Sequence, residues 1–117
     1  MPGVETSLPL MLTQVKAGKC TLQQVQNWMS IGPAMTYGIP NKGCIGEGFD
    51  ADLALVDMER FHPVKDEEVF SRAGWSPYTG LKLTGWPIYT IVGGQVAFAF
   101  GRIRPDVYGK PLTFSQP

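Results

Sequence analysis

Histidine is nearly absent from this chain: its 117 residues contain one, His62. A single imidazole excludes a site assembled from several histidines, and the two cysteines do not make up the number. Cys20 and Cys44 are distant from each other and neither stands in a Cys-x-x-Cys pair, so the three or four closely spaced ligands that zinc requires are not there. The two read as reduced thiols of a cytosolic protein rather than as a structural disulfide. Charge excess is lacking too. Ten Lys and Arg balance ten Asp and Glu, which removes any broad electrostatic reason to bind nucleic acid or an acidic membrane. No apolar run reaches the length of a membrane span. Glu5 precedes the short apolar run 8–12, where a secretory signal would be basic, so the cytoplasm is the expected compartment. Gly43, Gly46 and Gly48 match neither the dinucleotide fingerprint nor a P-loop, which would end in Gly-Lys-Ser/Thr, and they read as turn glycines.

What is present is a globular composition, 44% hydrophobic, with 14 Gly and 10 Pro that favour short strands over long helices. Residues 1–40 read as helical. Thr6 or Ser7 can cap a first helix whose stripe is Leu8, Leu10, Met11, Leu12 and Val15, with Pro9 tolerated in the first turn and Gly18 as the stop. Thr21 and Gln24 form a capping box ahead of Leu22, Val25, Trp28 and Met29 at helical spacing. A third turn is expected over residues 33–37. From about residue 41 the texture changes to strands and turns. The run 53–56 predicts a strand buried on both faces, and 61–80 predicts an irregular segment. Residues 88–92, Gly93-Gly94 and 95–100 predict a hairpin, with Tyr89 and Ile91 on one face and Val96, Phe98 and Phe100 sharing a face of the next strand. Helices first and strands second make the fold class α+β, with a boundary near residue 40.

Few residues offer chemistry. His62, in Arg60-Phe61-His62-Pro63, is expected in a turn as a surface or packing histidine, because no acid-oriented triad surrounds it. Asp50, Asp52 and Asp57 could serve as paired carboxylates, but Asp50 and Asp52 also fit a turn that prepares a strand. Trp75, Tyr78 and Trp86 are expected to pack rather than to stack ligands. The cluster Lys65-Asp66-Glu67-Glu68 reads as solvated surface. Met1-Pro2-Gly3-Val4-Glu5 opens directly into a helix N-terminus, whose dipole favours an anionic group; a Pro-Gly loop ahead of a helix also looks like the last loop of a (β/α)₈ barrel.

Five stretches together resemble a known family. They are Pro2-Gly3-Val4-Glu5-Thr6-Ser7-Leu8-Pro9-Leu10-Met11-Leu12, Asn41-Lys42-Gly43, Gly48-Phe49-Asp50-Ala51-Asp52-Leu53, Gly74-Trp75-Ser76-Pro77, and Leu83-Thr84-Gly85-Trp86-Pro87-Ile88-Tyr89-Thr90-Ile91-Val92-Gly93-Gly94. They are similar to the C-terminal part of bacterial dihydroorotases, in the dihydroorotase, allantoinase and hydantoinase branch of the amidohydrolases. The Asp-Ala-Asp-Leu strand is common to amidohydrolases; the Pro-Gly-Val-Glu-Thr and Thr-Gly-Trp-Pro segments resemble the dihydroorotase branch more narrowly.

The resemblance implies that residues 1–40 are terminal helices of a TIM-barrel hydrolase domain and that 41–117 are the C-terminal segment of its β-sandwich. It implies a zinc-dependent, reversible ring closure of carbamoyl-aspartate to dihydroorotate in pyrimidine synthesis, with a small-molecule substrate and a missing N-terminal barrel as the partner of this segment. It also implies that every metal and catalytic residue lies upstream, so none is assigned here; only Pro2, Gly3 and Val4 are proposed, as the downstream rim of the substrate pocket. Met1 would then be an internal methionine of a longer protein or the start of a truncated frame, and the chain alone would be inactive. Two alternatives stand beside this: a non-catalytic dihydroorotase-like partner of aspartate transcarbamoylase, and a fragment of an allantoinase or hydantoinase. Helix residues left without barrel strands would each lose roughly 1.5–3 kcal/mol of burial, so the isolated chain is expected to associate, aggregate or be partly molten.

Overall fold

The structure, a computed structural model, describes residues 1–115. Helix α1 spans Ser7–Lys16, α2 Leu22–Gln26 and α3 Gly32–Thr36, with a π-helical turn over Asn27–Ile31 between the last two. Four strands follow: β1 Leu53–Pro63, β2 Lys82–Val92, β3 Gln95–Ala99 and β4 Arg102–Ile103. They hydrogen-bond in the order β1-β2-β3-β4, with β2–β3 and β3–β4 antiparallel. The α+β class is therefore as the composition suggests. Among the described residues no helix is long and apolar enough to cross a membrane.

The chain divides into two compact units. The first combines Met1–Cys20 with Val56–Pro87. Its interior is Leu12, Pro9, Val64 and Leu83, all nearly fully buried. Helix α1 ends in a Schellman arrangement: the Lys19 N–H bonds to the Gln14 carbonyl and the Gly18 N–H to that of Val15, both at 3.0 Å. Its start differs from expectation. Neither Thr6 nor Ser7 caps it; their hydroxyls turn back to the carbonyls of Gly3 (3.3 Å) and Val4 (2.9 Å), closing the turn before the helix instead. Thr13 pins the helix to β2: its Oγ1 accepts the Thr84 N–H at 3.0 Å and donates to the Pro9 carbonyl at 2.7 Å. One residue earlier, Leu12 lies over Gly85, whose φ is +103°.

Strand β1 corrects two expectations. It runs on to Pro63, so His62 sits in a strand rather than a turn. Its residues are half-buried at best, with Leu55 44% exposed, so β1 is not the strand buried on both faces that its apolar run predicts. The segment after it is a loop closed at its base by Val64, whose N–H bonds to the Leu81 carbonyl and whose carbonyl accepts the Gly80 N–H, both at 2.9 Å. This is an Ω-loop. Asp66 organises it from inside, accepting the Ser76 N–H at 2.9 Å and the Thr79 hydroxyl. Asp66 is thus a structural acid and not merely a solvated member of a charge run.

The second unit combines Thr21–Leu55 with the segment from Ile88 onward. The Thr21–Gln24 capping box forms in full, at 3.1 and 2.9 Å. The helical stripe behind it does not pack as expected: Val25 is buried, but Leu22, Trp28 and Met29 are 40–50% exposed. The π turn over Asn27–Ile31 adds a residue to that turn and rotates the following side chains off the 3.6-residue stripe. The loop after α3 is held by the Gly43 carbonyl, which accepts from Gln26 Nε2 and Ser30 Oγ at 2.9 Å each. The Gly93-Gly94 hairpin forms with φ of 56° and 82°, the signs a two-residue primed turn demands. Its register shifts between Thr90 and Ile91, which pair with Phe98 and Val96 and leave Ala97 as the extra residue of a bulge. Partners that are neighbours in β2 lie on opposite faces, so Val96 and Phe98 do not share one.

Candidate functional site

The segment that leads into α1 opens a cleft in the first unit, of about 170 Å³. Pro2, Gly3 and Val4 line it, as do Glu5, Thr6, Ser71 and Ser76. Thr6 and Ser76 are buried there, at 5% and 8% exposure. Met1 lines it as well, and no Lys, Arg or His side chain does. The three residues singled out from sequence are thus brought together, and Ser71 and Ser76 reach them from the Ω-loop. Sequence reasoning missed Glu5, Ser71 and Ser76 as neighbours of the cleft. Glu5 and Ser76 stand inside the Pro-Gly-Val-Glu and Gly-Trp-Ser-Pro stretches, but only the fold brings those stretches into contact.

Glu5 joins the two sides. Its Oε2 accepts the Phe70 N–H at 3.0 Å and its Oε1 the Ser71 N–H at 2.6 Å. Ser76 adds a local turn, its Oγ accepting the Tyr78 N–H at 3.1 Å. The Asp66 carboxyl is held below its ordinary value of 3.8, first by the Thr79 hydroxyl and then by the Ser76 N–H. Of the three aromatics expected to pack, Tyr78 and Trp86 are half-buried, and Trp86 Nε1 donates to the Leu83 carbonyl at 3.1 Å. Trp75 departs from that expectation at 46% exposure, because it sits on the crown of the Ω-loop.

His62 has its Nε2 2.6 Å from Glu68 Oε2 and its ring edge-on to Trp86, with centroids 5.7 Å apart. Among the described residues no group of three or more His, Cys, Asp and Glu could hold a metal ion. The zinc that the resemblance implies finds no fitting donor set here. Cys20 and Cys44 are free thiols.

Asp50 and Asp52, read as strand-preparing turn residues, lie in the second unit, whereas Asp57 lies in the first and accepts the Glu59 N–H. Lys42 pairs with both Asp50 (2.9 Å) and Asp52. Asp52 Oδ1 accepts the hairpin's Gly93 N–H at 2.8 Å, and the Ala51 carbonyl accepts that of Gly94 at 2.9 Å. Asp52 is held below 3.8, first by Lys42 and then by Gly93; Lys42 is raised above 10.5, first by Asp52 and then by Asp50. Every carboxylate in this cluster faces a lysine or an amide that stabilises its charge. Asp52, held low by these partners, is not poised to take a proton near neutrality as a general base must be.

Comparison with known proteins places this geometry. The amidohydrolase family model matches residues 3–97. The dihydroorotase of Pyrococcus abyssi is 42% identical over 111 residues, which are 95% of this chain and 26% of that protein. The dihydroorotase of Bacillus subtilis is 36% identical over 102 residues, 86% of this chain and 24% of its own length. Among solved structures, the L-hydantoinase (dihydropyrimidinase) from Arthrobacter aurescens superposes with a TM-score of 0.84 at 38% identity, over 87% of this chain and 23% of that one. The chain spans about a quarter of the length of the curated relatives it matches.

Proposed function

Because the chain belongs to the amidohydrolase family, we propose that it is the C-terminal part of a dihydroorotase and that its contribution to the reaction is architectural. In this reading residues 1–40 are terminal helices of a TIM-barrel domain and 41–117 the C-terminal share of a β-sandwich. Pro2, Gly3 and Val4 form the downstream rim of the pocket that takes the cyclic amide. The longer protein interconverts carbamoyl-aspartate and dihydroorotate in the cytoplasmic synthesis of pyrimidines, and its zinc ligands and proton-moving groups lie outside these residues. The observation that carries the reading is 42% identity to a dihydroorotase across 95% of the chain, set against a donor inventory with one histidine, already engaged by Glu68.

The choice of dihydroorotate over a hydantoin follows the curated relatives, which are named dihydroorotases.

Two measurements test this. The purified chain should bind zinc substoichiometrically and leave dihydroorotate unchanged; stoichiometric metal with turnover, free of any full-length contaminant, would overturn the reading. The DNA upstream of Met1 should encode, in frame, the histidine-rich metal-binding segments of the family; stop codons there would count against it.

A further inference from the structure

We infer that Glu5 is a positioning residue for this cleft: by clasping the Phe70 and Ser71 amides it holds the crown of the Ω-loop against the segment Pro2–Val4 and so fixes the width of the opening. The inference rests on the reading of Pro2, Gly3 and Val4 as a pocket rim for its functional meaning, but its geometry stands independently.

The two oxygens of the Glu5 carboxylate take two consecutive backbone N–H groups, at 3.0 and 2.6 Å, across 65 and 66 residues of sequence. Consecutive amides pointing to one carboxylate make a small anion-holding concavity, and the ionised acceptor makes both bonds charge-assisted. Other bonds of the loop lie at its base and flank: Val64 with Gly80 and Leu81, Asp66 with Ser76 and Thr79, and Glu68 with His62. The bonds within the crown are short-range, from the Ala73 and Gly74 amides back to Ser71. Ser71 therefore nucleates the crown's own turn while Glu5 fixes where that turn sits. Since Glu5 and Ser71 both line the cleft, the clasp also spans it. A cleft wall built from an Ω-loop is mobile unless tied; this carboxylate is the tie, and its negative charge is spent on the two amides rather than presented to a ligand.

The test is native-state amide exchange with proton chemical shifts on the chain, alone and co-expressed with the barrel part that a full-length relative carries, comparing Glu5→Ala, Glu5→Gln and Glu67→Gln. Glu5→Ala should speed exchange at Ser71, and with it Phe70, by about 10- to 100-fold, the loss expected when a bond to a charged acceptor goes. Val64 and Thr84, which lie outside the crown, should keep their rates. Glu5→Gln keeps one acceptor oxygen at nearly the same reach, so it should restore part of the protection while moving the Ser71 proton upfield. Glu67→Gln, an exposed acid of the same loop, should change neither amide. Unchanged exchange at Phe70 and Ser71 in Glu5→Ala would overturn the inference, as would equal acceleration at Val64 and Thr84 or the same effect from Glu67→Gln. If Glu5→Ala does not fold, the near-isosteric Gln variant decides, since an unmoved Ser71 resonance there refutes the clasp. These readouts need no substrate, so the clasp and the dihydroorotase reading can fail separately.

Discussion

Leu12 and Gly85 show how one pair of residues sets the packing of the first unit. A Cβ built on Gly85 would lie 2.6 Å from the Leu12 Cβ, well inside contact distance, and the φ of +103° is one that side-chain-bearing residues rarely adopt. Leu12 is 1% exposed and cannot retreat without opening the core it fills with Pro9 and Leu83. Gly85→Ala therefore adds backbone strain to overpacking. We expect a loss of about 2–4 kcal/mol, seen as a lower denaturant midpoint, with Thr13→Ser (which keeps the hydroxyl bridge to Thr84) as a nearly neutral control. The Thr84-Gly85-Trp86-Pro87 stretch is conspicuous in the sequence, but its reason is not, since the steric demand comes from a helix 70 residues away. The Thr21–Gln24 box, by contrast, is complete within four residues and was legible for that reason. Glu5 falls between these cases. Its position beside the rim was visible, but its partners at Phe70 and Ser71 were not, because bonds to backbone amides leave no trace in side-chain identity.

At the scale of elements, local signals survived and tertiary ones did not. Two glycines fixed the hairpin, yet no side chain announced that Ala97 would bulge and turn Val96 away from Phe98. Strand β1 alternates half-buried Val56 and Met58 with exposed Asp57 and Glu59, a period of two that the apolar run before it conceals. The acids that precede β1 suggest carboxylates bonded to the amides of their own turn, but Asp50 pairs with Lys42, and Asp52 reaches Lys42 and the hairpin's Gly93 N–H. That reach has a pH signature. Asp52 is held below 3.8 by Lys42 and Gly93, so its stabilising contribution is complete above the unfolded carboxylate range and falls away as pH drops through the lowered folded value. Lys42, raised above 10.5 by the same partners, contributes fully below 10.5 and is lost only as pH rises through its raised value. The loop–hairpin junction should thus be firm from mildly acidic to alkaline pH and loosen in acid. Exchange at Gly93, whose amide Asp52 holds, should quicken in acid relative to intrinsic rates. Asp52→Ala should make it fast at every pH and remove the acid dependence; retention of that dependence in the variant would assign it to another group. Asp66 acts in the same direction on Ser76 in the first unit.

For the molecule as a whole, the decisive quantity is how little it buries. Among the described residues, Leu12, Val25, Ala34, Val64 and Leu83, with Pro9, make up its buried aliphatic core. The accessible surface is 8362 Å², where a folded monomer of 12.8 kDa would expose about 6,300 Å². The surplus, about 2,000 Å², is the scale of a whole protein–protein interface. Part of it is apolar and helical: Trp28 and Leu22 are each 50% exposed, Met35 76% and Tyr37 68%. Part is backbone, since β1 presents eleven residues on the outer edge of the sheet, relieved by Asp57, Glu59, Arg60 and the terminal Pro63, the kinds of residue that discourage strand addition. A net charge of zero supplies no repulsion to keep such surfaces apart. The relatives are about four times as long, and the remainder of such a protein has ample surface to cover these faces. The isolated chain should therefore elute above its monomer mass at micromolar concentration, bind an apolar dye, and melt broadly. On the proposed reading, co-expression with the barrel part that a full-length relative carries should abolish the dye signal and sharpen the melt. A monomer that melts sharply and binds no dye on its own would mean that this surplus is tolerated, and that the chain is a self-sufficient module rather than part of a barrel enzyme.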